Sequence, residues 1–78
     1  MSTGAKGARM AARALLALIE RPRTTTELAT IMVAGEGAPP LHKSTTARFV
    51  AGLRAGGLPI TVSRGPSALV SLDVGALP

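Results

Sequence analysis

Apolar and polar positions change their period along the chain, and the changes divide it into elements. Over residues 8–20, Met10, Ala11, Ala14, Leu15, Leu18 and Ile19 recur at helical spacing, which predicts a first amphipathic helix. Arg9 and Arg13 share its other face as solvated surface, Glu20 closes it and Arg21-Pro22 breaks it. Residues 1–7 ahead of it are small and polar with one lysine, and read as a flexible arm. A second helix is expected to begin at Thr24. With Thr24 as N-cap, Glu27 falls at the third helical position, so the hydroxyl can accept from the Glu27 amide while the carboxylate accepts from the Thr24 amide. Leu28, Ile31 and Met32 then make a buried stripe about two turns long. Residues 33–40 hold two glycines and two prolines with no periodicity, and read as a loop.

The rest of the chain is organised around residues 41–60. Thr46, Phe49, Val50 and Leu53 form the core stripe of a helix over 43–55, with Ser44, Arg48, Ala51 and Ala55 on the opposite face. Gly56 and Gly57 supply a left-handed helix end, and Pro59 cannot continue a helix. Strict alternation follows. Ile60 and Val62 alternate with Thr61 and Ser63, and Val70 and Leu72 alternate with Leu69 and Ser71, on either side of a turn at Arg64-Gly65-Pro66-Ser67. That predicts a β-hairpin over 58–72, after which residues 73–78 form a short tail.

Composition narrows the chemistry. With 78 residues the chain supports one small domain, placed at 8–72, and leaves much of its surface exposed, so partner subunits are expected. Nine Lys+Arg against four Asp+Glu give a net charge of +5, which suits nucleic acid or an anionic membrane surface. Cysteine is absent, which excludes disulfides and thiolate metal sites. The acids Glu20, Glu27, Glu36 and Asp73 are scattered, one is committed to a cap, and the glycines after the third helix do not follow a strand as a nucleotide loop would. No enzyme activity, cofactor or metal is expected. No stretch approaches the roughly 20 apolar residues that span a bilayer, and the apolar run 15–19 is too short for a signal sequence, so a cytoplasmic location without membrane attachment is expected. Phe49 is the only aromatic residue, which argues against recognition of single strands by base stacking.

Three helices followed by a two-stranded hairpin, with a basic third helix, correspond to a small α+β winged helix-turn-helix. The segment 24–72 resembles the DNA-binding domain of DeoR-type and WYL-type bacterial regulators. Thr24, Glu27, Leu28 and Ala29 match that family's second helix; Thr45, Arg48, Val50, Leu53, Arg54, Gly57, Pro59 and Ile60 match its recognition helix and the junction after it; Arg64-Gly65 stands at the wing tip. Two departures are visible. The family has about four residues between the second and third helices where this chain has a longer loop with Pro39-Pro40, and Phe49 replaces its common aspartate. The resemblance implies a sequence-specific double-stranded DNA-binding protein. It would be a small transcriptional regulator, repressor-like or accessory, of a kind found among phage and mobile-element proteins. The effector domain of those regulators has no counterpart here, so control is expected to come from concentration, oligomerisation or a second protein.

On that reading the third helix enters the major groove, where Ser44, Thr45 and Arg48 reach base edges or phosphates. Arg48 carries most weight, either as a bidentate guanine contact or as a phosphate contact. Lys43 and His42 at the helix start suit a phosphate, Arg54 either covers the helix flank or contacts a phosphate, and Arg64 is either a turn residue or a contact of the wing. About five phosphate contacts would give a salt slope near −4.5. A homodimer reading two half-sites is expected. The alternative is a protein-interaction module on the same scaffold, for example a viral factor on a host protein, suggested by the loop 33–40.

Overall fold

The computed structural model describes residues 2–65 and 68–77. It is α+β, with three helices and a three-stranded antiparallel sheet. The helices are α1 (Ser2–Glu20), α2 (Thr25–Ile31) and α3 (Lys43–Ala55); the strands are β1 (Arg23–Thr24), β2 (Ile60–Val62) and β3 (Leu69–Leu72), in sheet order β1-β3-β2. Two boundaries differ from expectation. Helix α1 starts at Ser2, so most of the segment read as an arm is helical. The sheet has a third strand, because Arg23 pairs with Val70 and Thr24 with Leu69 on the free edge of the hairpin. Two residues are too few to show alternation, and their partners lie far along the chain. Arg23 also ties this strand to α1: its guanidinium donates to the Ala17 carbonyl at 3.2 Å and to Glu20 Oε1 at 2.8 Å.

The local signals act as their chemistry requires. Thr24 Oγ1 accepts from the Glu27 amide at 3.1 Å, and Glu27 Oε1 accepts from the Thr24 amide at 2.9 Å, so both halves of the capping box form. The Thr24 amide holds the Glu27 carboxyl below its usual range, with Arg21 adding to the effect. At the far end of α3, Gly57 adopts φ +109°, its amide donates to the Arg54 carbonyl, and the Leu58 amide donates to the Leu53 carbonyl. This is a Schellman termination, and Leu53 and Leu58, the two apolar positions such an ending favours, both pack against the core. It turns the chain directly into β2, whose Ile60 and Val62 pair with Leu72 and Val70 of β3. Ser63 closes the hairpin by donating its amide to the Leu69 carbonyl and accepting the Leu69 amide on Oγ, both at 2.9 Å. Part of the expected turn, residues 66–67, lies outside the described residues.

One core joins the three helices to β2 and β3. Met10, Ala14 and Leu18 of α1 meet Leu28 and Met32, Val50 of α3, and Ile60, Val70 and Leu72 of the sheet. Ile19, assigned by spacing to the core face of α1, is instead 49% exposed, while Ala17 is buried. Thr46 belongs to the α3 stripe as expected; it is fully buried and its hydroxyl donates to the His42 carbonyl at 3.2 Å. Beyond β3, a 3₁₀ turn (Val74–Ala76) brings Leu77 against the core, and the Asp73 amide donates to the Pro59 carbonyl. No helix among the described residues is long and apolar enough to cross a membrane.

Candidate nucleic-acid interface

The nine cations fall into two groups according to where the glutamates sit. Arg9 binds Glu36 side-on, with Nε to Oε2 at 3.0 Å and Nη2 to Oε1 at 3.1 Å, while Arg13 Nη2 reaches the same carboxylate at 2.8 Å. Arg23 pairs with Glu20 at 2.8 Å and Arg21 with Glu27 at 3.7 Å. These contacts absorb all three glutamates of the chain. Among the described residues Lys6, Lys43, Arg48, Arg54 and Arg64 make no ion pair, and four of these five belong to α3 and the hairpin loop. The cations of α3 and the hairpin loop are therefore without an ion-paired acid among the described residues.

Glu36 is one of two acids, with Asp73, that the sequence pattern left without a role. Two cations four residues apart on α1 converge on it, and the two guanidiniums hold its carboxyl at about 2, well below 4.5. Arg13 adds a hydrogen bond to the Met32 carbonyl at 3.2 Å, and Gly35 and Gly37 take φ of +80° and +70° as the chain turns. The Leu41 amide then donates to the Ala29 carbonyl at 3.1 Å. The loop 33–40 is thus bound to α1 at its acidic residue and to α2 at its far end. The clue in the sequence was the Arg9/Arg13 spacing opposite a lone acid in a glycine turn, which does not identify the partner by itself.

Helix α3 presents three faces. Thr46, Phe49, Val50 and Leu53 face the core. Ser44, Thr45 and Arg48 point outward and are exposed. Lys43 and Arg54 are also exposed, but they line a cleft between α3 and the hairpin rather than lying beside Arg48. Arg64 is exposed in the hairpin loop beyond β2. The six residues singled out from the sequence are all exposed and fall in three places: the outward face of α3, the cleft, and the hairpin loop. His42 is the N-cap of α3. Its Nδ1 accepts from the Ser44 amide at 3.2 Å and lies 2.9 Å from Ser44 Oγ. The first turn of α3 contains no acid, so Lys43 and the positive end of the helix dipole reinforce each other. The cleft walls, formed by alanines of α3 with Val62 and Ala68, went unrecognised in the sequence although Ala47, Ala51 and Ala55 stand four residues apart. Comparison with family models, with curated proteins and with solved structures gives no match.

Proposed function

We propose that the protein is a winged helix-turn-helix that binds double-stranded DNA as a small transcriptional regulator, with α3 in the major groove and the β2–β3 hairpin as the wing. The observation that carries this reading is the segregation of charge. The glutamates neutralise the arginines of α1, β1 and the segment between them, while the cations of α3 and the hairpin loop are left for an external anion. Ser44, Thr45 and Arg48 stand on the outward face of α3, where side chains of a recognition helix meet base edges. Lys43 and Arg54 beside the hairpin, and Arg64 in its loop, suit the phosphates on either side. The third strand supports the same reading mechanically: β1 covers one edge of the β2–β3 pair, and Arg23 ties it to α1.

The protein-interaction alternative rests on the loop 33–40, which Glu36 ties to α1 while Pro39 and Pro40 stay exposed. Leu16, 69% exposed, and Ile19 form an apolar pair on the outer side of α1 that suits self-association into a dimer. A monomer in sedimentation velocity at high concentration without DNA refutes the dimer. The DNA reading is tested by titrating the full chain against a mixed-sequence duplex at low salt, with Arg48→Ala alongside. Micromolar or tighter binding that is weakened in the variant supports it; a folded protein that fails to bind refutes it.

A further inference from the structure

The inner face of the hairpin does not close completely on α3. Val62 shares the core-facing side of the sheet with its register partner Val70, yet Val70 is fully buried and Val62 is 40% exposed. The reason lies on the helix. Opposite Val62 and Ala68, α3 presents Ala47, Ala51 and Ala55, side chains too short to fill the space, and a cleft of about 550 Å³ remains with buried Val50 at its floor. That volume lies within the range of small-molecule sites, and the walls are predominantly apolar. Two of the lining side chains are charged, Lys43 and Arg54. Among the described residues both are cations without an ion pair, and no acid lines the cleft. A DNA phosphate can use the cations but leaves the apolar wall beside them unused, and that wall suits an anion with an apolar body.

We propose that this cleft binds a small organic anion, an aromatic or aliphatic body carrying one carboxylate or sulfonate, and that its occupancy excludes DNA from α3. The second clause rests on the DNA reading above; the first does not. The apolar body lies against the alanines and Val62, where it removes their surface from water. The head group sits at Lys43. Lys43 and Arg54 stand about 16 Å apart along the helix axis, at opposite ends of α3. Of the two ends, Lys43 lies at the positive end of the helix dipole and shares the cleft with Thr25, whereas Arg54 lies at the negative end, which disfavours an anion. A bound anion would neutralise Lys43 and fill the cleft that Arg54 also lines, taking from the duplex the phosphate contacts on that flank of α3.

The test titrates the full chain with anilinonaphthalene sulfonate, an aromatic sulfonate of suitable size, and follows backbone amide resonances so that binding is observed on the folded protein. Saturable one-to-one binding with shifts concentrated on α3, β2 and residue 68 is expected. Lys43→Gln should raise Kd about tenfold, the order expected for one lost charge-assisted contact, and by more than Arg54→Gln does. Ala51→Trp, at an exposed helix position, should abolish binding by filling the cleft, and Ala47→Leu provides the same test should the larger side chain disturb the fold. Absence of saturable binding to the folded chain, shifts centred on α1, or an affinity unchanged by these substitutions overturns the site. Saturating dye should also weaken duplex binding. Duplex and dye bound together overturn the exclusion alone, while dye binding by a protein that never binds duplex leaves the cleft standing and refutes the DNA reading.

Discussion

The salt dependence of duplex binding should count the cations that α3 and the hairpin leave free. Nine Lys+Arg are present, but Arg9, Arg13, Arg21 and Arg23 are held by carboxylates at 2.8 to 3.7 Å. A cation already paired within the protein releases few counterions when it approaches a phosphate, so Lys43, Arg48, Arg54 and Arg64 set the slope. Four contacts give about −3.6 for log K against log salt per bound protomer, fewer than the five assumed from sequence; between about 50 and 200 mM salt the affinity should fall by roughly two orders of magnitude. Arg48→Ala should bring the slope to about −2.7, and Arg13→Ala, whose side chain serves Glu36, should leave it unchanged. Fluorescence anisotropy of a labelled mixed-sequence duplex at five salt concentrations measures all three proteins. A slope near zero, or one reduced as much by Arg13→Ala as by Arg48→Ala, would show that the free cations of α3 are not the DNA contact.

Other expectations concern what holds the interface in place. Thr24→Ala removes the hydroxyl that accepts the Glu27 amide and should cost about 1 kcal/mol, lowering the thermal midpoint by roughly 4 to 8 °C, whereas Thr24→Ser should retain most of the stability; calorimetry decides. Glu36 stays ionised in the folded chain down to about pH 2 but protonates near 4.5 when unfolded, so its stabilisation is complete above 4.5 and is lost as pH falls through about 2. The stability gap between wild type and Glu36→Gln, from urea melts across that range, should be widest above pH 4.5 and shrink toward pH 2; a gap independent of pH would contradict the ion-pair account. Leu28→Ala opens a cavity at a fully buried position and should cost about 2 to 5 kcal/mol, enough to unfold much of so small a domain by circular dichroism.

The features legible in the sequence are those whose cause lies within a few residues. The capping box at Thr24 and Glu27, the glycine ending of α3 at Gly57, its core stripe and the alternation of β3 each follow from local spacing and stand where that spacing placed them, whereas in β2 Ile60 is buried but Val62 is exposed. The tertiary structure decided whatever needs a distant partner. Strand β1 exists because Arg23 and Thr24 find Val70 and Leu69; Ile19 is exposed and Ala17 buried because the rest of the core approaches α1 from a slightly different side than its apolar stripe implies. Arg9 and Arg13 read as solvated surface until Glu36 arrived from a loop that had no pattern of its own. The cations of α3 were visible as a set, but the position of the hairpin separates Lys43 and Arg54 in the cleft from Arg48 on the outward face. Helix periodicity and caps are set by interactions within one turn, whereas ion pairs, strand edges and clefts form only where packing brings remote segments together, and one chain's pattern does not specify which remote segment will arrive.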